Sequence, residues 1–246
     1  MPRPTLDTLP TAARSQERTQ RQRWDATTPE DYDNWRAQRR TEFFDELYLD
    51  ALRGPRVLEV GCGQGDMLAK VKAKLPDAWV TGLDISPGML ARCGRRGLPD
   101  VALGSGNALP YADAQFDSVL AATWVMRYLH VDVALAEMAR VTRPGGRIMF
   151  DLPFMVGHWL VVLSRFFRQP PRLWLHHLRD AYLPLDGRWV PAWRRSIEAA
   201  GLTVVDVVGG IDSPVRSERF SFRRPFRDPV GLALSTIVWF LAEKPR

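Results

Sequence analysis

Short apolar runs alternate along the chain with stretches whose apolar residues recur every three or four positions. RVLEV (56–60), WVTGLD (79–84), DVAL (100–103) and DSVLAA (117–122) have the length and β-branched content of buried strands. QGDMLAKVKAKL (64–75), SPGMLARCGRR (86–96) and VDVALAEMARVT (131–142) have helical spacing. RPGGRIMFDL (143–152) reads as a turn at Pro144, Gly145 and Gly146 feeding a fifth strand. This alternation predicts an α/β fold, with a mostly parallel sheet covered by helices on both faces. Two late strands, LTVVDVVG (202–209) and TIVWFLAEK (236–244), lack a helical crossover between them and predict an antiparallel hairpin at one sheet edge.

The flanks break this rhythm. Residues 1–23 lack apolar periodicity and read as a flexible arm, followed by a helical cap over 24–52 in which Trp35, Phe43, Phe44, Leu47, Leu49 and Leu52 fall near helical spacing. The remainder, 53–246, reads as one domain with an insert at about 153–190. That insert is rich in Trp, Leu and His and interrupted by Pro170 and Pro171, so it predicts a lid of two short helices over the sheet's ligand edge.

VLEVGCGQGDML (57–68) poses the chemical question, because a strand enters a glycine turn and a helix leaves it, as in a phosphate-binding loop. A dinucleotide fingerprint needs glycines at the first, third and sixth loop positions. Gly61 and Gly63 satisfy the first two, but the sixth position is Asp66, and Glu59 lies just before the turn. Like charges about 4 Å apart cost about 4 kcal/mol at an effective dielectric near 20, so two carboxylates here oppose a pyrophosphate and favour a cation. Asp84 ends the second strand, where a carboxylate can accept hydrogen bonds from both hydroxyls of a ribose. A ligand with an adenosine-like half and a cationic half satisfies both signals, and S-adenosylmethionine has that constitution.

With these residues in place, the sequence resembles the class I S-adenosylmethionine-dependent methyltransferases, in particular the ubiquinone/menaquinone-type small-molecule branch. The resemblance rests on four ordered blocks, VLEVGCGQGDML, VTGLDISPGML, GNALPYADAQFDSVLAATWVMRYL and VTRPGGRIMFDLP, between residues 55 and 153. It implies a Rossmann-like fold, a seven-stranded, mostly parallel sheet ending in the antiparallel hairpin. It also implies that Glu59, Gly61 and Gly63 shape the methionine end of the site, that Asp84 holds the ribose and that Ile85 packs on adenine. Relatives commonly have Gly-Asp-Ala where this chain has Gly104-Ser105-Gly106, so Ser105, with Gly106 beside it, inherits the bond to the adenine amino group as a neutral acceptor. Ala121 and Ala122, ending the fourth strand, would pass beside the methionine moiety. Tyr32 either closes over the cofactor or anchors the core.

Methyl transfer to a neutral hydroxyl or an enolic carbon needs a base, and histidine is the usual one. His158, His176 and His177 cluster in the segment where this family builds its acceptor pocket, and each is a base candidate as well as an ordinary packing histidine. In WVMRYLH (124–130) many relatives have His at Tyr128, which makes Tyr128 a further catalytic candidate. Arg127, Trp124 and Trp159 are substrate-binding candidates, Arg127 for an anionic group. No residues are spaced for a metal.

Composition narrows the classes. The 246 residues are 46% hydrophobic with a formal charge of +6, which permits an anionic partner without establishing one. Two cysteines, Cys62 and Cys93, exclude a disulfide scaffold and fit a reducing cytoplasm. No apolar run reaches the length of a membrane span, although WLVVLSRFF (159–167) is compatible with peripheral contact. The leading expectation is methylation of O or C on an apolar small molecule (a quinone, polyketide or lipid-like acceptor) by a monomer or homodimer. Two alternatives stand beside it. One is an RNA methyltransferase using the basic aromatic loop 216–227, weakened by the absence of a base-amino methylation motif. The other is a non-methylating S-adenosylmethionine-binding protein or cyclase on the same fold.

Overall fold

A computed structural model of the chain describes residues 11–37, 42–98, 100–153, 190–210, 226–235 and 237–246. Three helices come first, α1 (Thr11–Ala26), α2 (Pro29–Ala37) and α3 (Glu42–Ala51). The alternating region follows as β1 (Arg56–Val60), α4 (Asp66–Lys74), β2 (Trp79–Asp84), α5 (Pro87–Arg95), β3 (Val101–Leu103), β4 (Phe116–Ala121), α6 (Val131–Val141) and β5 (Thr142–Pro153). It closes with α7 (Val190–Ala199), β6 (Thr203–Gly210), α8 (Pro229–Leu234) and β7 (Ile237–Glu243). The lid insert expected at about 153–190 falls almost wholly outside the described residues, as does 216–225 of the basic loop.

The seven strands lie in the order β3-β2-β1-β4-β5-β7-β6. β3 through β5 pair in parallel, whereas β7 runs antiparallel to both β5 and β6. The expected sheet and its antiparallel ending are both present. The chain reverses direction across the sheet between β1 and β4, and crevices for ligands open at the carboxyl ends of strands flanking such a switch.

Strand alternation divides the core between two faces. Leu58, Val119, Ile148, Phe150 and Phe240 face one cluster with Leu135 and Met138 of α6 and Ile197 of α7. Val57, Leu120, Met149 and Trp239 face the other with Tyr48 of α3, Val71 of α4 and Cys93 of α5. Both faces are covered, so β4 and most of β7 are buried along their length. The expected turn at Pro144, Gly145 and Gly146 is an irregularity inside β5, where Gly145 has a φ of 76° and the β4–β5 register shifts.

The N-terminal region departs from expectation. Much of the segment read as a flexible arm is helix α1, which packs against α5 and the turn after β4. Its sequence, TAARSQERTQRQRWDA, is rich in helix formers. Glu17, Gln20 and Trp24 fall at i, i+3 and i+7 on one face. That face is polar except for Trp24, so hydrophobic periodicity does not mark it, and tertiary contacts stabilise the helix.

One buried group braces the end of β4. Thr123 and Trp124 both have positive φ, 62° and 67°, a conformation that costs about 1–2 kcal/mol for each L-residue. Asp151 on β5 accepts the Trp124 N–H at 3.0 Å and the Tyr48 hydroxyl at 2.9 Å. The same hydroxyl lies 3.2 Å from the Ala121 carbonyl, so α3, β4, β5 and the strained turn meet at one carboxyl group. Burial pushes Asp151 up to about 7, against the lowering effect of its hydrogen bonds.

Phe150 and Phe240 stack at 5.2 Å with no exposed surface. Phe240→Ala is expected to lower stability by about 3–5 kcal/mol, read as a fall in the urea midpoint at unchanged slope. Because the folded-state pKa of Asp151 is raised, the native state holds its proton more tightly than the unfolded chain. Stability is full below about pH 4 and declines as the pH rises to about 7, by at most about 4 kcal/mol. Asp151→Asn should flatten that decline in urea titrations between about pH 4 and 7; equal slopes for variant and parent would exclude the linkage.

Candidate functional site

A cleft enclosing about 900 Å³, partly open to solvent, lies at the carboxyl ends of β1, β2 and β4. Its floor is the glycine loop. Gly61, Gly63 and Gly65 have φ of 71°, 54° and 86°, so this turn can be followed without strain only by residues lacking Cβ. A Cβ on Gly61 would lie 2.6 Å from Val125, and one on Gly63 would lie 2.9 Å from the Tyr32 hydroxyl oxygen. Leu83 O accepts hydrogen bonds from the N–H groups of Gly61 and Cys62 at 2.6 and 3.0 Å, tying the loop to β2. Both cysteines lie beneath it as buried free thiols, and the Cys93 thiol donates to Gly63 O at 3.5 Å.

Asp84 joins the loop to the next helix. Its Oδ2 accepts the Gly63 N–H at 2.8 Å and its Oδ1 the Ser86 N–H at 2.9 Å. Burial nevertheless raises its pKa, partly offset by these backbone donors. Ser86 in turn N-caps α5, its Oγ accepting the Met89 N–H at 3.2 Å, and donates to Asp25 Oδ1 of α1 at 2.6 Å.

Helix α1 roofs the cleft. Trp24 meets the rings of Tyr32 and Tyr128 edge to face at 6.3 and 5.9 Å. Arg92 of α5 donates to Thr27 O just beyond the helix. Glu17, only 6% exposed, accepts the Ser105 hydroxyl and, at 2.7 Å, the Asn107 side-chain amide. Asn107 Oδ1 accepts the His130 N–H at 2.9 Å, joining this network to the start of α6.

The charge balance defines what the cleft suits. Glu17, Glu59, Asp66 and Asp84 line it, and no lysine or arginine does among the described residues. The chain as a whole carries +6, so this concentration of acids runs against its overall charge. Arg96 offsets one acid from outside the lining, at 2.8 Å from Asp66. A pyrophosphate would meet four acids and no cationic side chain among the described residues, whereas a sulfonium with an ammonium and hydroxyl donors finds acceptors along the wall. The close approaches at Gly61 and Gly63 leave room for such a ligand only against bare backbone, so the residues fit S-adenosylmethionine.

The structure brings most of the expected cofactor residues together. Tyr32, Glu59, Gly61, Gly63, Asp84, Ile85, Ser105 and Gly106 all line the cleft, and so does Tyr128. Ala121 does not; fully buried, its side chain faces the α6 side of the sheet, and the next residue, Ala122, reaches the cleft instead. Trp124 and Arg127 are also absent from the lining, with the Arg127 guanidinium stacked 5.5 Å from the Trp124 ring and 5.2 Å from that of Tyr128. The Ser105 hydroxyl donates a hydrogen bond to Glu17 and its oxygen accepts the Asn107 N–H at 3.0 Å, so the serine chiefly positions a carboxylate. His158, Trp159, His176 and His177 lie outside the described residues. Glu17, Gln20 and Trp24 went unforeseen, because the helix face they share is polar apart from Trp24 and carries no hydrophobic periodicity.

Comparison with known proteins agrees with this geometry. Residues 58–150 match the family of methyltransferase domains. A demethylmenaquinone methyltransferase from Mycobacterium sp. (strain KMS) is 33% identical over 64% of this chain and 73% of its own length. A trans-aconitate 2-methyltransferase from Methylobacterium nodulans is 30% identical over 80% of this chain and 83% of its own. Among solved structures, 1,6-didemethyltoxoflavin-N1-methyltransferase from Burkholderia thailandensis, bound to 1,6-didemethyltoxoflavin and S-adenosylhomocysteine, superposes with a TM-score of 0.61 at 17% identity, covering 97% of this chain and 92% of that one. An acid-walled cleft at the switch point of this sheet, in a chain with these relatives, belongs to a class I S-adenosylmethionine-dependent methyltransferase.

Proposed function

We propose that this methyltransferase delivers its methyl group to an oxygen or carbon of a small, apolar acceptor. The observation that carries the reading is the division of the cleft wall. Acids gather at the ends of β1 and β2, whereas Ala122, Val125 and Leu129 after β4 make a mainly apolar side whose polar side chains are the hydroxyl-bearing Thr123 and Tyr128. S-adenosylmethionine, when bound among these residues, would supply an electrophilic methyl group for transfer to the acceptor.

The chain's part is alignment, exclusion of water and proton management. Asp84 takes the ribose hydroxyls on the lone pairs its backbone donors leave open, and Glu59 sets a negative field at the methionine end. Tyr32 and Trp24 close the roof over the loop and keep water from the sulfonium. Tyr128 stands on the apolar side, where its hydroxyl can hold or relay the acceptor's proton. Helix α1 together with Tyr32 forms the cap, Trp159 is the residue assigned to the acceptor, and one of His158, His176 and His177 is the base. The likeness to demethylmenaquinone methyltransferase supports an apolar acceptor. Arg127, stacked between aromatic rings, contributes to the rigidity of the acceptor side more than to anion binding.

The test is to incubate the protein and methyl-labelled S-adenosylmethionine with cell extract, then partition the label. Label is expected in the organic-soluble fraction. Recovery in RNA would instead implicate the basic loop, and recovery in water-soluble carboxylic acids would replace the apolar acceptor. Asp84→Ala is expected to weaken S-adenosylmethionine binding at least about tenfold in calorimetry, since charge-assisted hydrogen bonds are lost; unchanged affinity would remove Asp84 from the ribose site. Alanine at His158, His176 and His177 in turn should lower kcat strongly at one position while leaving cofactor affinity intact. If all three keep their rate, no base lies among them.

A further inference from the structure

The proposed cofactor site accounts for Glu59 and Asp84 but leaves a third buried carboxylate over the same cleft. Glu17 comes from α1, far from the glycine loop in sequence, and is 6% exposed. Both of its hydrogen bonds, from Ser105 and from the Asn107 amide, fall on Oε1, and Oε2 enters neither. Three residues along the same helix face, the buried Gln20 Oε1 takes no hydrogen bond among the described residues, and Gln20 lines the cleft too. A carboxylate removed this far from water is retained only where it meets donors. The helix therefore presents two acceptors, one of them charged, to the inside of the cavity.

Sheet order indicates which part of a ligand they meet. β3, β2 and β1 are neighbours, spaced about 4.8 Å apart. Glu59 belongs to β1, Asp84 ends β2, and Glu17 is anchored to Ser105 in the loop that follows β3. The acids thus follow the strand ends, and an elongated ligand lying across them presents its donors in the same sequence. With the cationic end at β1 and the ribose at β2, the donor left for the third position is the exocyclic amino group of adenine. Nearby, Gly104 packs against Leu83 and Gly106 against Leu129, where a Cβ would lie 2.8 and 2.7 Å from these side chains, and all four residues line the cleft, so its wall beside Ser105 is apolar.

Resting on the cofactor reading above, we propose that Glu17 reads the adenine amino group, with Ser105 and Asn107 as its positioning residues, so that α1 is an integral wall of the nucleoside site. A hydrogen-bond acceptor at that place favours adenine, whose 6-amino group donates, over hypoxanthine, whose 6-oxo group repels a carboxylate. A glutamine there can turn its amide to donate to the 6-oxo group and relieve the repulsion.

The test compares S-adenosylhomocysteine with S-inosylhomocysteine by calorimetry on the full chain, the Glu17→Gln variant and the Glu17→Ala variant. The parent is expected to prefer the adenosine compound by at least about tenfold, Glu17→Gln to lose most of that preference, and Glu17→Ala to weaken the adenosine compound selectively. If either variant weakens both compounds equally, Glu17 merely docks the helix and the proposal is overturned. Parent protein that binds neither compound would overturn the cofactor reading itself, an outcome distinct from loss of discrimination.

Discussion

The site is organised around the buried carboxylate of Asp84. By accepting one backbone N–H from the glycine loop and one from the start of α5, it fixes the ends of β1 and β2 relative to each other. A neutral side chain of similar size would form weaker bonds to the same donors. Burial works against its ionisation, and the two backbone donors partly restore it. Gly63 of the loop and Ser86 ahead of α5 are tied together through that one side chain. The turn it holds has glycines at three alternate positions, Gly61, Gly63 and Gly65, all with positive φ, which lets the backbone approach a ligand without side-chain interference.

A second consequence is electrostatic. A chain of net charge +6 reserves for its cleft a wall with four acids and no base among the described residues. Concentrating like charges in a partly dry cavity is unfavourable by itself, and a cationic ligand reverses the sign of that cost. Helix α1 extends this wall through Glu17 and closes it through Trp24, and Asp25 near its end binds the N-cap of α5. The roof and the floor of the cleft are therefore joined by hydrogen bonds as well as by packing.

The same site illustrates how a local sequence rule is displaced. Read alone, Ser105 looks like a weak substitute for an acidic residue. In three dimensions its hydroxyl donates a hydrogen bond to an acid brought from a helix distant in sequence, so a carboxylate is present although the loop does not encode it. Ala121 and Ala122 show a smaller version of the effect, since the pleat of β4 decides which of two adjacent alanines faces the cleft. Arg127 was available for an anion by residue type, but two aromatic rings occupy its guanidinium face.

Order and spacing along the chain by themselves determined the parallel sheet, its antiparallel ending, the glycine loop, Asp84 and the cationic preference of the ligand. These are local properties: strand periodicity, turn chemistry and carboxylates within a few residues of a turn act over short distances in sequence. Tertiary structure alone decided that the N-terminal segment is a helix over the cleft, that Glu17 enters the site, and that Asp151 on β5 braces the strained turn after β4. Each of these depends on a polar group finding its partner tens of residues away. Hydrophobic periodicity does not mark such groups, because what stabilises them is a specific hydrogen bond rather than the burial of an apolar face.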